Sequence, residues 1–187
     1  MKYGEPYFQY ECTPEQIDLL DSALKDPEFG EGVAVGLESI RKSRIAWIDD
    51  TGLDIVLLRI AKEVNVHAGW NLHLRRCDPI QYTEYDEGGK YDWHTDQAPP
   101  MQDHRDGVLK VRKISMTLFL NDPSEYEGGE FDVEFLGPGR SEERYETFKM
   151  PKGKAVFFQS DQWHRVRPVT SGIRKSLVAW FIGPPYV

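Results

Sequence analysis

KAVFFQ (154–159), WHRVRP (163–168) and IRKSLVAWF (173–181) place three short apolar-rich runs almost end to end, parted by segments containing Ser, Asp, Thr and Gly. Runs this short, rich in Val, Phe, Ile and Trp and bounded by turn residues, read as strands, because a helix needs a longer stretch at a 3.6-residue period. The same texture extends upstream through KISMTLFL (113–120), GEFDVEF (129–135) and ERYETFK (143–149). Before those lie NLHLR (71–75), IQYTEY (80–85) and KYDWHT (90–95). Nine such strands in a row, with no alternating helices, predict an antiparallel β sandwich or barrel over residues 71–187.

The first 70 residues read differently. Thr13-Pro14-Glu15-Gln16 is a helix start, with a Thr cap, Pro at the first position and Gln three residues after the cap. Ile17, Leu20 and Leu24 follow at helical spacing, and Pro27 ends the run. A second helix is expected from Thr51, with Asp54 in its first turn and Ile55, Leu58, Ala61 and Val66 as its apolar face, up to Gly69. SRIAWI (43–48) between them is a strand candidate. The expectation is one domain, mainly β with flanking helices (α+β), in which residues 1–70 support a β core from outside.

Composition narrows the functional classes. The chain has 187 residues, 31 Asp and Glu against 23 Lys and Arg, and a net charge of −8. That charge opposes nucleic-acid and anionic-membrane binding. An apolar fraction of 40% supports a real core. No apolar window is long enough to span a bilayer, and the N-terminus lacks a signal-type apolar region, so a cytoplasmic protein is expected. Cys12 and Cys77 are too few for a disulfide framework. No nucleophile elbow or phosphate loop occurs; Gly88-Gly89 and Gly128-Gly129 read as turns.

Chemistry concentrates in Tyr91-Asp92-Trp93-His94-Thr95-Asp96. At a strand end, His94 and Asp96 share a face and can share a metal ion. His164 enters another strand later in the chain, and Arg174 follows in Arg174-Lys175-Ser176-Leu177-Val178-Ala179-Trp180-Phe181. Arg174 and Ser176 share the inward face with Val178 and Trp180. A buried Arg there is costly unless it meets an anion, and a carboxylate is its natural bidentate partner. Two His and one carboxylate form the facial triad of non-haem Fe(II) oxygenases, and the inward Arg points to an acidic cosubstrate beside the metal. His67, His73 and His104 are read as structural or solvated. The 125–146 segment is read as a solvated acidic hairpin, and Gln97–Lys110 as a functional or mobile loop.

The order Tyr85, Tyr91-x-x-His94-x-Asp96, His164 and Arg174-x-Ser176 resembles that of Fe(II)/2-oxoglutarate-dependent dioxygenases. The resemblance is to their prolyl-4-hydroxylase-like branch, in particular the PKHD-type hydroxylases. Met116–Pro123, Tyr126–Glu130 and His164–Thr170 strengthen it, over residues 80–182. It implies a double-stranded β-helix (jelly-roll) core with a metal at one open end. It further implies His94, Asp96 and His164 as Fe(II) ligands and Arg174 as the anchor of 2-oxoglutarate. Ser176, Tyr85 and Thr117 would assist in cosubstrate binding. Phe119 stands where animal prolyl hydroxylases carry a carboxylate-binding Tyr, so Thr117 or Tyr85 is expected to compensate. The implied reaction consumes O₂, yields succinate and CO₂, and hydroxylates a C–H bond, with ascorbate as reductant. The substrate is a prolyl residue in a peptide, or else a free amino acid or other small molecule; the oligomeric state stays open. Two rivals remain on the sequence alone: a silent jelly-roll binding module, and a metalloenzyme that does not use 2-oxoglutarate.

Overall fold

Along 114–119, Ile114, Met116 and Leu118 alternate with Ser115, Thr117 and Phe119, and along 174–181 Arg174, Ser176, Val178 and Trp180 alternate with Lys175, Leu177, Ala179 and Phe181. Such strands can bury both faces, one against helices and one against a second sheet. The structure, a computed structural model, describes residues 4–31, 40–103, 105–135 and 144–186. The first half forms β1 (Tyr7–Glu11), α1 (Pro14–Ala23), β2 (Gly30–Glu31), β3 (Arg41–Lys42), β4 (Arg44–Ile48), α2 (Thr51–His67), β5 (Arg76–Cys77), β6 (Ile80–Tyr85) and β7 (Lys90–His94). The second half adds β8 (Met101–Gln102), β9 (Leu109–Phe119), β10 (Tyr126–Gly128), β11 (Phe131–Glu134), β12 (Tyr145–Phe148), β13 (Lys154–Gln159), β14 (His164–Val166), β15 (Val169–Gly172) and β16 (Arg174–Gly183).

The larger sheet runs β1-β13-β9-β16-β6-β4-β2, and the smaller runs β12-β11-β14-β7-β3. Their pairings are antiparallel, as the jelly roll requires. On the outer face of the larger sheet, Ile114, Met116, Leu118, Leu177, Ala179 and Phe181 pack with Leu53, Leu57, Ile60, Ala61 and Val64 of α2. Between the sheets lies a second cluster, including Phe119, Phe131, Val133, Phe148, Val156 and Phe158. Packing on both sides makes the larger sheet rigid at the positions that hold the site.

Some expectations need correction. α2 starts at Thr51 as expected, and the cap is Asp50, whose side chain accepts from Leu53 N at 2.8 Å. Its buried face follows Leu53, Leu57, Ile60 and Val64, and Ile55 and Val66 point outward. NLHLR is not a strand; pairing with β16 starts at Arg76 and Cys77. Residues 1–70 do more than support from outside, because β1 pairs β13, β4 pairs β6 and β3 pairs β7. The capping box at Thr13 and Gln16 forms as expected. Both cysteines are buried and free, and burial pushes the Cys12 thiol up to about 11. Among the described residues, no helix is long and apolar enough to cross a membrane.

Candidate active site

β7 and β14 are neighbours, and His94 and His164 are register partners across them. Strand pairing alone therefore brings two sequence-distant imidazoles together, with ring centroids 4.1 Å apart. Asp96 follows β7, and its main-chain N–H donates to Ser160 O at 3.0 Å, which turns the chain end inward. His94 Nε2 lies 3.8 Å from Asp96 Oδ1, and His164 Nε2 lies 3.4 Å from Asp96 Oδ2. One potential ligand atom from each residue falls within 4.8 Å of the others. Donors at adjacent corners of a metal sphere of ~2.1 Å radius stand ~3 Å apart, so small side-chain adjustments suffice.

The second ring nitrogens fix which atom faces inward. His94 Nδ1 is 2.8 Å from Asp92 O, and His164 Nδ1 is 3.0 Å from Gln162 O. A carbonyl accepts only, so each Nδ1 carries a proton, and Nε2 is the ring nitrogen that faces the cluster. Burial, reinforced by the nearby His164, pushes the His94 imidazole down to about 3, which keeps it neutral at ordinary pH. Burial alone would raise the Asp96 carboxyl. His164, His94 and the Ser115 hydroxyl outweigh burial and hold that carboxyl below the usual range. Ser115 is itself braced by Ser160, with the hydroxyl oxygens 2.9 Å apart. A neutral His94 imidazole beside an ionised Asp96 carboxylate suits a divalent metal.

The same pocket, of about 250 Å³, is also lined by Arg174, Ser176, Tyr85 and Thr117. Arg174 is 0% exposed and pairs in register with Tyr85 across β16 and β6. Its Nη1 donates to Ser176 Oγ at 2.9 Å, while its Nε and Nη2 have no partner. Among the described residues no carboxylate meets it. The rings of Phe119 and Tyr85 lie 5.2 and 5.4 Å from its guanidinium carbon. Burial pulls its pKa down, and the neighbouring Tyr85 and Tyr126 hydroxyls oppose that. Tyr126 Oη is buried and makes no hydrogen bond of good geometry, although it stands close enough to the guanidinium to act on its charge. A Cβ on Gly129, at φ +64°, would come within 3.0 Å of Arg174 Cδ and 3.3 Å of the Tyr126 ring, so only glycine leaves room there.

Each sequence-derived candidate thus lies in one pocket. Reading the sequence did not give roles to the pocket residues Arg41, Ile45, Trp47, Gln81 or Tyr91, nor to Tyr126 beside Arg174. Gln81 was findable, because it shares the face of Tyr85 by alternation. Arg41 and Trp47 were not, since only the pairing of β3 with β7 and β4 with β6 brings them in. Tyr91 stacks on His94 with centroids 3.5 Å apart and 12° between planes, and Arg41 lies 4.8 Å over the Tyr91 ring. His67 stacks on Phe8 and His73 is exposed, both apart from the cluster. His104 lies outside the described residues.

Two surrounding segments differ from expectation. In the 125–146 segment, Asp132 is 0% exposed and accepts from Arg165 at 2.7 Å and Arg167 at 2.9 Å, so it is not a solvated charge. Glu134 is also buried; residues 136–143 lie outside the described range. In Gln97–Lys110, Met101 and Gln102 pair with Lys110 and Leu109, extending the larger sheet. Asp103 pairs with Arg76, and Asp106 with Arg75 at 3.0 Å, which ties the loop down.

Residues 80–182 match the family model of the 2OG-Fe(II) oxygenase superfamily, and the chain belongs to that superfamily. A PKHD-type hydroxylase of Synechococcus sp. is 38% identical over 96 residues, covering 51% of this chain and 39% of that protein. The chain thus matches about two fifths of that relative's length. A PKHD-type hydroxylase of Picosynechococcus sp. is 31% identical over 173 residues, covering 90% of this chain and 73% of the relative. The fold is shared with a prolyl-4-hydroxylase from Pseudomonas putida, at TM-score 0.66 and 22% identity, over 94% of this chain and 92% of that one.

Proposed function

We propose that this chain is a 2-oxoglutarate-dependent non-haem iron dioxygenase that hydroxylates an unactivated C–H bond, with a prolyl residue of a peptide as substrate. One observation carries the reading: Arg174, whose buried guanidinium has two unpartnered N–H groups, lines the same pocket as a His-Asp-His cluster. A buried charge left that way costs several kcal/mol, which an incoming carboxylate offsets. A metallohydrolase has no use for such an anchor.

In this reading His94, Asp96 and His164 hold Fe(II), and the main-chain carbonyls of Asp92 and Gln162 lock the two rings in the ligating tautomer. Arg174 binds the far carboxylate of 2-oxoglutarate through Nε and Nη2, while Ser176 steadies Nη1. Tyr126 supplies the hydroxyl that Phe119 lacks, a role assigned from sequence to Thr117 or Tyr85. Those two line the middle of the pocket and orient the cosubstrate there. Iron, 2-oxoglutarate and O₂ together supply the oxidising power for oxygen insertion, with succinate and CO₂ as co-products and ascorbate as reductant. The relatives named hydroxylases support the reaction class, and the prolyl-4-hydroxylase of like fold supports the substrate class. The test is Fe(II)- and O₂-dependent conversion of 2-oxoglutarate to succinate, with mass spectrometry for gain of one oxygen on prolyl peptides. Succinate without oxygen gain on any prolyl peptide would reassign the substrate. No succinate at all would remove the reaction.

A further inference from the structure

A second set of unpartnered N–H groups belongs to residues that line the pocket. Trp180 Nε1 is buried without an acceptor although the residue lines the cavity, and so is Arg41 Nη2. Arg112 joins them, its guanidinium 3.8 Å over the Trp180 ring. A bulge puts it there: β9 pairs Ile114 with Phe181 and Arg112 with Ile182, so Lys113 is the extra residue. Arg112 is thereby turned onto the face of β16 that carries Ser176, Val178 and Trp180.

Neither cation is fully occupied by the protein. Arg112 touches Asp78 only at 3.5 Å, while Lys110 holds the same carboxylate at 2.6 Å. Arg41 Nε donates to Ser43 Oγ at 2.9 Å, and among the described residues no carboxylate meets it. The 2-oxoglutarate anchored at Arg174 does not reach this end. Arg174 and Trp180 are six residues apart on one strand, roughly 20 Å of backbone. Four carbon–carbon bonds span at most about 6 Å.

We propose that the substrate carries a carboxylate that docks on Arg41 and Arg112, with the Trp180 indole N–H as a third donor. The donor-only set calls for an acceptor-only group, and two guanidinium forks match the flat carboxylate. Beside it, Trp47 and Trp180, with ring centroids 6.4 Å apart, line the pocket with apolar surface for a small aliphatic body. The substrate is therefore an amino acid or related small acid, or a peptide that offers a terminal or side-chain carboxylate. A neutral chain interior does not fit. This deepens the dioxygenase reading and rests on it.

The test uses the whole protein with Mn(II) and saturating 2-oxoglutarate under nitrogen, so that an added acid cannot simply occupy Arg174. Free amino acids, their N-acetyl forms and short prolyl peptides, each as acid and as amide, are titrated while tryptophan fluorescence is followed. At least one acid is expected to bind on the order of tenfold or more tightly than its amide. Arg41→Gln and Arg112→Gln should each reduce that preference to about threefold or less, with Arg→Lys at either position keeping part of it. Trp180→Phe keeps the ring packing, removes the N–H and should weaken acid binding less. Tighter binding of free amino acids assigns a small-molecule source, and tighter binding of peptide acids assigns a peptide end. Equal binding of acids and amides, a preference that survives both Gln variants, or binding of no acid overturns the proposal. Titration of 2-oxoglutarate alone separates the two readings: its failure to bind wild type removes the dioxygenase, whereas normal binding without acid preference removes only the carboxylate subsite.

Discussion

At the scale of single residues, Arg174 decides most. Its guanidinium is kept in place by strand pairing and by Ser176, and its open N–H groups await an acceptor. Arg174→Leu should weaken 2-oxoglutarate binding by ~2–5 kcal/mol, tens- to thousands-fold, as measured by calorimetry. Arg174→Lys should fall between Leu and wild type, because a point charge cannot reproduce the two-pronged contact. Metal affinity should survive both, since the cluster lies elsewhere on β7 and β14. Gly129→Ala tests the same anchor from its other side. Its positive φ and the 2.9 Å approach to Val169 Cγ2 predict a loss of about 1–3 kcal/mol in stability, with weakened 2-oxoglutarate affinity in the folded fraction. Arg174 and the candidate ligands His94, Asp96 and His164 were legible in the sequence because alternation fixes which side chains share a face. Tyr126 was not, because the packing of β10 beside the end of β16 depends on the β10–β15 pairing, which spacing does not reveal.

Among the elements, the segment from Gln97 to Lys110 changes character most between sequence and structure. Two prolines and many polar residues read as a functional or mobile loop. Asp103 instead pins it, and this buried carboxylate has no local sequence signal because its partner Arg76 lies on another strand. Burial would raise the Asp103 carboxyl, but Arg76, the Arg105 main-chain N–H and Lys110 bring it down to about 2. A carboxyl with a free-chain pKa of ~3.9 thus stabilises the closed segment above pH ~4, and the contribution disappears as pH falls through about 2. Hydrogen-exchange protection over 97–110, taken relative to the intrinsic amide rate at each pH, should therefore fall on acidification through that window. Asp103→Asn should show fast exchange already at neutral pH. Unchanged exchange in Asp103→Asn would mean that the β8–β9 pairing alone holds the segment. Helix α2 carries the same lesson: its amphipathic pattern was visible, yet the buried stripe is rotated, because apolar residues occur on both sides and only packing on the sheet selects Leu53, Leu57, Ile60 and Val64.

Across the whole molecule, one sheet separates stability from chemistry. Its outer face packs against α2, and its inner face carries Arg174, Ser176, Thr117 and Trp180 into the pocket. Leu57→Ala, at a position 1% exposed, should cost ~2–5 kcal/mol in denaturant melts yet leave 2-oxoglutarate affinity of the folded protein unchanged. A parallel loss of affinity would show that the two faces are coupled. The β-rich architecture could be read from strand texture, whereas the contribution of β1, β3 and β4 to both sheets could not, because long-range pairing has no local signature. The central claim is that the His94, Asp96 and His164 cluster and Arg174 hold Fe(II) and 2-oxoglutarate in one pocket. Anaerobic addition of 2-oxoglutarate to the Fe(II)-loaded protein tests it directly, through the visible absorption that arises when a 2-oxo acid chelates Fe(II). The band is expected at stoichiometric iron in wild type, is lost in His94→Ala and His164→Ala, and appears only at far higher 2-oxoglutarate in Arg174→Leu. A wild-type protein that binds Fe(II) and gives no band, or a band indifferent to all three substitutions, would contradict the claim.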